Sequence, residues 1–264
     1  MKVGLIGCGN MAKAIIEGFI NTGTYKPEEI IASDRIRDAL DYAANRLGIH
    51  TTTNNSELVL ESELIIIAVK PQVIESVISE ISDVVSEQKL VISIVAGQTI
   101  KRIEELFGRD IKLIRTMPNT PAFVGAGMTA VCSNGNVTAT ELEFACRLLS
   151  SFGKAEVVPE KLMDAVVAVS GSAPAYVAMM VEAMADAAVL EGMPRDQAYR
   201  FAEQAVYGTA KLLSEKNIHP AILKDMVCSP AGTTIEAVRV LEERGFRSSI
   251  IEAMKACSDV SARL

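Results

Sequence analysis

The sequence Lys2-Val-Gly-Leu-Ile-Gly7-Cys-Gly9-Asn-Met-Ala12 begins with an apolar run that is cut by two glycines. This order of apolar strand, glycine-rich turn and following helix is typical of a dinucleotide-binding βαβ unit. Gly7 permits the tight turn, Gly9 lets a pyrophosphate approach the backbone, and Ala12 keeps the helix close to the strand. Free N–H groups at the beginning of the helix then face the phosphates. The helix itself is indicated by the spacing of apolar residues at Ile15, Ile16, Phe19 and Ile20.

The bulk composition is that of an ordinary globular protein, with 49% hydrophobic and 22% charged residues in a chain of 264. The net charge of −7 argues against a nucleic-acid or anionic-membrane surface, which would need a basic field. The five cysteines are scattered, without a C-x-x-C pair or neighbouring histidines, and predict neither a disulfide framework nor a metal site. Because the first strand begins at Lys2, we expect no signal peptide and a reduced, cytoplasmic compartment.

A second strand, Ile30-Ile-Ala-Ser33-Asp34-Arg35, ends in residues that should meet the adenosine ribose of a dinucleotide. Asp34 lies 22 positions after Ala12, where an acidic residue binds the 2′-hydroxyl of NAD. Ser33 and Arg35 instead suit the 2′-phosphate of NADP. A third interpretation is that Asp34 only caps the helix that begins near Arg37. The sequence leaves the choice between NADPH and NADH open.

Further apolar runs end where an open α/β sheet binds its ligands. The buried run Leu64–Val69 ends at Lys70-Pro71, where Lys70 is interpreted either as a phosphate contact or as a solvated loop residue. The strand Leu90–Gly97 is followed by Thr99 as a helix cap. The strand Ile111–Thr116 is followed by Met117-Pro-Asn119-Thr-Pro121, in which two prolines hold the loop and Asn119 is a site residue or a turn residue that binds its own backbone. A turn is predicted over 51–55.

The chain divides into two predicted domains at Pro159. Met128–Cys132 and Lys154–Val158 complete the sheet of an N-terminal Rossmann-type dinucleotide-binding domain, residues 1–159, and Thr138-Ala-Thr-Glu141 opens a helix as a capping box. Residues 160–264 show no strand pattern, so the predicted fold class is α/β followed by an all-helical domain. Helices are predicted over Leu162–Val169, Ala173–Glu191, Arg195–Ser214 and Thr234–Arg244, with a last helix from Arg247.

The helix Ala173–Glu191 carries Ala, Val and Met on nearly every face. A helix that is apolar all round must be buried, and this small domain offers too little cover by itself. We therefore expect a dimer or a larger homo-oligomer built on the helical domain. Glu182 and Asp186 argue against a membrane span.

The residues exclude several kinds of catalysis. With only His50 and His219, in unrelated contexts, neither a histidine general acid nor a catalytic triad is expected, and the cofactor must carry the difficult step. Two segments of the helical half expose backbone N–H groups where a helix begins, Ser170–Tyr176 and Ser229–Glu236. Such a terminus binds a carboxylate while a hydroxyl reaches a second polar atom. The alternative for Thr233 is a capping box with Glu236, whereas Thr234 has no such role.

The segment Asp225–Glu242, with Ser229-Pro-Ala-Gly-Thr-Thr234 at its centre, closely resembles the signature of pyrroline-5-carboxylate reductases. The family's SGSGP and SPGGT patterns occur here as SGSAP and SPAGT, both exchanges between small residues. The other matching motifs follow in family order over essentially the whole chain: Gly7–Ala12, Ala68–Pro71, Met117–Pro121, Ser170–Tyr176 and Gly245–Arg247.

The resemblance implies a Rossmann domain followed by a helical dimerisation domain, in dimers often assembled into a decamer. It also implies hydride transfer from NADPH or NADH to the C=N carbon of 1-pyrroline-5-carboxylate, which yields L-proline. Thr234 is the implied catalytic residue, whose hydroxyl bonds the ring nitrogen, and the implied substrate-binding residues are Ser170, Ser229, Gly232, Thr233 and Thr234. The predicted cofactor-binding residues are Ile6, Gly7, Cys8, Gly9, Asn10, Met11, Ser33, Arg35, Asn55, Ala68, Val69, Lys70, Pro71, Ala96, Gly97 and Asn119.

Two other functions are considered. A β-hydroxyacid dehydrogenase or a related imine reductase shares the two-domain plan, but the dehydrogenase uses a helical lysine and this chain has none between Lys161 and Lys211. A non-catalytic NAD(P)-binding sensor would have no use for a carboxylate pocket such as the Ser229–Thr234 loop.

Overall fold

A computed structural model describes residues 2–263, and its first part is organised on one eight-stranded sheet with strand order β3-β2-β1-β4-β5-β6-β7-β8. All neighbouring strands are parallel except β6 and β7, which pair antiparallel. The predicted α/β plan of a Rossmann-type domain is therefore present. The strands are β1 (Val3–Ile6), β2 (Ile30–Ser33), β3 (His50–Thr52), β4 (Leu64–Ile67), β5 (Leu90–Ser93), β6 (Lys112–Met117), β7 (Gly127–Ser133) and β8 (Gly153–Val157).

Both faces of this sheet are covered. Along β4, Leu64 and Ile66 belong to one hydrophobic core, and Ile65 and Ile67 to the core on the opposite face. This explains why the central strands are continuous apolar runs, as expected for a parallel sheet buried on both sides. The helices that cover it are α1 (Asn10–Asn21), α2 (Arg37–Tyr42), α3 (Asn55–Glu61), α4 (Ile74–Ile81), α5 (Ile100–Phe107) and α6 (Ala139–Leu149).

The predicted caps of two of these helices are confirmed. The side chain of Thr99 accepts a hydrogen bond from the backbone of Arg102 at the beginning of α5. Thr138 and Glu141 form the capping box of α6. These signals were readable because a cap involves residues only three positions apart.

The turn predicted over 51–55 is partly wrong, because His50–Thr52 forms the edge strand β3 and α3 begins at Asn55. β3 pairs in parallel with β2, from Ile31 to Ser33. Three polar residues carry no apolar pattern, so only pairing with the distant β2 reveals the strand.

The second part of the chain consists of helices joined by short loops, and its described residues contain no strand. A π-helical turn, Val167–Gly171, follows α7 and ends at a bend at Ser172, and α8 begins at Ala173, so a new helix begins within the segment 170–176, as predicted. The helix Pro220–Val227 was not predicted from the sequence. The helices are α7 (Met163–Val166), α8 (Ala173–Leu190), α9 (Arg195–Lys216), α10 (Pro220–Val227), α11 (Thr233–Glu243) and α12 (Phe246–Ser261).

Contacts divide the chain into two compact units. One comprises the chain up to Ser172 together with the segment from Cys257 onward, and the other is Ala173–Ala256. Within the first unit, the carboxylate of Glu160 accepts hydrogen bonds from the guanidinium of Arg115 at 2.9 Å and from the backbone of Ile100 at 2.7 Å. The residues just after Pro159 therefore pack on the sheet, while the domain boundary at that residue stays a prediction.

Helix α8 is almost uncovered within the chain. Ala185 is its one buried residue, while Met179 and Leu190 are 69% and 87% exposed. In the described chain, the segment Glu160–Leu190 is long and apolar enough to cross a bilayer, because it contains an 18-residue stretch with a mean hydropathy of 1.4. Length and composition are weak evidence for a span, since helices covered by a partner subunit have the same character.

Candidate active site

The glycine-rich loop between β1 and α1 has the geometry that its sequence predicts. Gly7 has a φ of +97°, and a Cβ atom there would lie 2.5 Å from the carbonyl oxygen of Ala68, so only glycine fits. A Cβ atom at Gly9 would meet nothing within 4 Å. Gly9 is also the N-cap of α1 and no side chain caps that helix. The open space and the uncapped amides fit the pyrophosphate of a dinucleotide.

Asp34 holds this loop in place. Its carboxylate accepts hydrogen bonds from the backbone N–H groups of Cys8 at 2.7 Å and of Ile36 at 2.9 Å. The prediction that Asp34 caps the following helix is wrong, because Ile36 is the N-cap of α2 and that cap has no side-chain hydrogen bond. Burial raises the pKa of the Cys8 thiol, so this side chain stays a neutral packing group beneath the loop.

Ser33 and Arg35, which are predicted to suit the 2′-phosphate of NADP, lie at the carboxyl end of β2, near Asn55, another predicted cofactor contact. The buried hydroxyl of Ser33 donates to the side chain of Asn55 at 2.7 Å. The amide of Asn55 in turn donates to Glu80 at 2.6 Å, and the guanidinium of Arg35 donates to the other oxygen of Glu80 at 2.7 Å. Sequence reasoning missed Glu80, which lies in α4 far along the chain and belongs to no motif.

The ends of β4 and β5 lie beside the glycine-rich loop, as predicted for parallel strands. The backbone N–H of Ala68 donates to the carbonyl oxygen of Ile6 at 2.8 Å. Lys70 is exposed and precedes a short 3₁₀ turn that begins at Pro71. Gly97 has a φ of +72° in the turn after β5. This edge of the sheet therefore unites the predicted contacts of residues 68–71 and 96–97 with the loop of β1.

Asn119 and Ser170 are also brought together, but their side chains are committed to the protein itself. The side chain of Asn119 accepts a hydrogen bond from the backbone of Met128 at 2.8 Å and donates to the carbonyl oxygen of Ser170 at 3.1 Å. The hydroxyl of Ser170 donates to the carbonyl oxygen of Val166 at 3.1 Å. The turn interpretation of Asn119 is too local, since its partners lie in β7 and in the π-helical turn. Ligand contacts by these two residues stay predictions.

The loop before α11 forms an uncapped helix N-terminus in the second unit. Gly232 is the N-cap of α11, no side chain caps it, and a Cβ atom there would lie 2.2 Å from the hydroxyl oxygen of Ser229. The alternative of a capping box between Thr233 and Glu236 is wrong, because Thr233 is already inside the helix and Glu236 pairs with Arg239 at 2.7 Å. The first amides of α11 are therefore available to an anion.

Ala231 adopts a left-handed conformation in this loop, with a φ of +54°. A non-glycine residue in this region costs roughly 1 kcal/mol. Relative to the SPGGT pattern, alanine replaces glycine at this position. There is room for the methyl group because Ala231 is exposed, but the left-handed backbone conformation is strained.

Neither histidine of the chain takes part in these arrangements. His50 lies in the edge strand β3, and Nδ1 of His219 accepts a hydrogen bond from the backbone of Ala221 at the beginning of α10. Residues 2–263 also contain no group of three His, Cys, Asp or Glu side chains that could hold a metal ion.

Comparison with known proteins supports two parts of this description. Residues 160–264 match a family model described as pyrroline-5-carboxylate reductase dimerisation, and residues 2–97 match one described as NADP oxidoreductase, coenzyme F420-dependent. The curated pyrroline-5-carboxylate reductase of Escherichia coli (strain K12) is 49% identical over 263 residues, which cover 100% of this chain and 98% of that protein. The enzyme of the same name from Methanosarcina acetivorans is 43% identical over 263 residues, with 100% and 97% coverage.

Solved structures show the same relation. The pyrroline-5-carboxylate reductase of Coxiella burnetii superposes with a TM-score of 0.93 at 35% identity, covering 99% of this chain and 97% of that one. The pyrroline carboxylate reductase of Plasmodium falciparum, solved with NADP bound, superposes with a TM-score of 0.91 at 31% identity and covers 100% and 97%.

A Rossmann sheet with an open glycine-rich loop, followed by a helical dimerisation domain, defines this protein as an NAD(P)H-dependent oxidoreductase that self-associates. The full-length identity to curated relatives narrows the class. The chain belongs to the pyrroline-5-carboxylate reductase family, as its motifs implied. This assignment replaces the interpretation as a β-hydroxyacid dehydrogenase.

Proposed function

We propose that this chain reduces 1-pyrroline-5-carboxylate to L-proline, with Thr234 as the residue that orients the imine. The observation that carries the proposal is the pairing of full-length identity to pyrroline-5-carboxylate reductases with an uncapped α11 terminus at Gly232. A nicotinamide, when bound, supplies the hydride. The protein then has to hold two anionic molecules and orient the C=N bond.

The coenzyme-binding residues divide by chemistry. The amides of the loop between Gly7 and Met11 receive the pyrophosphate at the beginning of α1. Ser33, Arg35 and Asn55 receive the adenosine ribose or its 2′-phosphate. Residues 68–71 and 96–97 border the nicotinamide half. This division follows from the order of the strand ends along the sheet edge.

The substrate is an anion with a cyclic imine, and α11 offers a partner for each group. The amides of Thr233 and Thr234 donate to the carboxylate, helped by the positive end of the helix. The hydroxyl of Thr234 bonds the ring nitrogen. When the imine arrives protonated, addition of a hydride to carbon converts the iminium into a neutral secondary amine, which takes its next proton from water. No acidic side chain has to donate a proton in this step, because the imine nitrogen is already protonated when the substrate binds.

The experiment is a steady-state assay of Thr234→Ala with 1-pyrroline-5-carboxylate, followed by the loss of nicotinamide absorbance. We expect kcat to fall by about tenfold to a hundredfold, the cost of one lost hydrogen bond to a charged group. The free energy of unfolding should change by less than about 1 kcal/mol, since Thr234 is half-buried in a loop-helix junction.

The matched control is Thr140→Ala, because Thr140 is likewise the second residue of a helix, α6, and is exposed. Equal kcat values in Thr234→Ala and in the parent protein would contradict the proposed role. Binding of NADPH or NADH without any oxidation would point instead to a non-catalytic nucleotide sensor.

The assembly proposed is a dimer formed through the helical domain, five of which form a decamer, in the cytoplasm. The exposed apolar surface of α8 supports this proposal, with Met179 and Leu190 open in the single chain. Light scattering after size exclusion without detergent tests it. A particle of 28.3 kDa, the mass of one chain, would contradict it, and so would recovery of the protein only in detergent.

A further inference from the structure

We propose that Glu80 sets the choice between NADPH and NADH in this chain, by competing with a 2′-phosphate for Arg35 and Asn55. The inference rests on the proposed function, because it presumes that the carboxyl end of β2 receives the adenosine ribose. Glu80 belongs to no coenzyme motif and enters only through its position in the fold.

The carboxylate of Glu80 is held by the donors that a 2′-phosphate needs. One oxygen accepts from the guanidinium of Arg35 at 2.7 Å, and the other accepts from the side chain of Asn55 at 2.6 Å. The hydroxyl of Ser33 donates to the side-chain oxygen of Asn55 at 2.7 Å, so Ser33 is linked to Glu80 through Asn55. The two residues predicted to suit the 2′-phosphate, Ser33 and Arg35, and the predicted cofactor contact Asn55 are therefore connected to one protein anion.

Glu80 is also fixed from its backbone side. The hydroxyl of Ser56, in the first turn of α3, donates to the carbonyl oxygen of Glu80 at 2.7 Å. This bond ties α4 to α3 next to Asn55, so the carboxylate is presented at a defined position rather than on a free helix end. Swinging Glu80 away would break two charged hydrogen bonds at once.

The acidic residue expected to meet the ribose is occupied elsewhere. Both oxygens of Asp34 accept backbone N–H groups, those of Cys8 and Ile36. Each oxygen of Glu80 also accepts one hydrogen bond, but from the side chains of Arg35 and Asn55, which can rotate away, whereas the backbone donors on Asp34 cannot. The 2′-hydroxyl of NADH can therefore donate a hydrogen bond to Glu80. A 2′-phosphate carries about −1.5 to −2 charges at neutral pH and meets repulsion from the same group.

The size of the effect follows from exposure. The side chains of Arg35 and Glu80 are 71% and 41% exposed, so their interaction is that of a solvated ion pair. Such pairs change affinity by only a few fold per charge. With a multiply charged phosphate, we expect Glu80→Gln to tighten NADPH binding by about threefold to tenfold at low salt. The Kd for NADH should stay the same or rise slightly.

The test measures the Kd of NADPH and of NADH for the parent and for Glu80→Gln by titration calorimetry, without substrate. Adenosine 2′-monophosphate and adenosine 5′-monophosphate serve as probes of the phosphate alone. The matched control is Glu75→Gln, since Glu75 lies in the same helix and pairs with Arg102 instead. The gain for NADPH in Glu80→Gln should shrink at high ionic strength.

Arg35→Gln, alone and combined with Glu80→Gln, separates competition from a general change in charge. If Glu80 competes for Arg35, removal of Arg35 abolishes most of the gain that Glu80→Gln gives. An unchanged ratio of the two Kd values in Glu80→Gln, or weaker NADPH binding, would overturn the proposal. Failure of the parent to bind either nucleotide would instead overturn the proposed function, so the two failures are distinguishable.

Discussion

Replacement of Asp34 by asparagine tests whether this residue supports the glycine-rich loop or binds the ribose. In the structure its two carboxylate oxygens accept the N–H groups of Cys8 at 2.7 Å and of Ile36 at 2.9 Å. Asparagine keeps one acceptor oxygen and turns an NH₂ group toward the second N–H. One hydrogen bond is therefore lost and two donors face each other.

The expected magnitude follows from the kind of hydrogen bond that is lost. A hydrogen bond to a charged acceptor contributes about 1.5–3 kcal/mol, and an unsatisfied donor adds to the loss. Asp34 is half-buried, so water compensates part of this cost. We expect Asp34→Asn to lower the free energy of unfolding by about 2 kcal/mol. For a chain of this size, the thermal midpoint should fall by about 4–8 °C.

Coenzyme binding distinguishes the two roles. A loosened loop weakens the pyrophosphate contacts that NADPH and NADH share, so both Kd values should rise by the same factor. Calorimetric titration with each nucleotide measures this, and Asp41→Asn is the control because Asp41 is an exposed carboxylate on the body of α2. If only the affinity for NADH fell and the thermal midpoint stayed unchanged, Asp34 would bind the ribose instead of supporting the loop.

Two further predictions concern the coenzyme loop and the sheet. Gly9→Ala should leave the free energy of unfolding within about 1 kcal/mol of the parent, because the added methyl group meets open space. The same methyl group should weaken NADPH binding by about tenfold or more, because it occupies the space proposed for the pyrophosphate. Equal affinity of the two proteins in a calorimetric titration would contradict the pyrophosphate contact. Lys112→Met should cost about 1 kcal/mol at neutral pH, since Lys112 lies 2.6 Å from Glu141. Burial acts to raise the pKa of Glu141, but the hydrogen bonds from Lys112 and from the helix cap lower it below the ordinary value of 4.5. The stability that these bonds contribute is therefore present above pH 4.5 and is lost as the pH falls through the folded-state pKa. Urea unfolding from neutral to acid pH should show the two proteins converging, with Lys101→Met as an exposed control; a difference that grows toward acid pH would contradict this sign.

Local patterns explain why much of the fold was predictable. The strand, turn and helix around Gly7 depend on neighbouring residues, and so do the cap at Thr99 and the capping box at Thr138. Each feature is decided by hydrophobic periodicity or by a hydrogen bond that spans three or four positions. The same holds for the uncapped beginning of α11, whose residues the sequence indicated, although the alternative of a capping box at Thr233 is wrong.

The errors share the opposite property. The edge strand at His50 depends on pairing with β2, and the roles of Asn119 depend on Met128 and Ser170, which lie 9 and 51 positions further along the chain. A periodicity cannot report such partners, because it contains no information on which distant segment packs beside it. A polar residue such as Asn119 can therefore be recognised from the sequence as a site candidate, although the sequence does not show that its side chain already forms hydrogen bonds within the protein.

The sequence by itself determined the class of fold, the glycine turns at Gly7 and Gly232, and the family, because these depend on the order and identity of residues. Only the tertiary structure decided which polar groups face one another. It gave both oxygens of Asp34 to backbone amides and brought Glu80 to Arg35, which lies 45 residues earlier in the chain. The physical reason is that hydrogen bonds and charge pairs act over a few ångströms in space, whatever the separation along the chain.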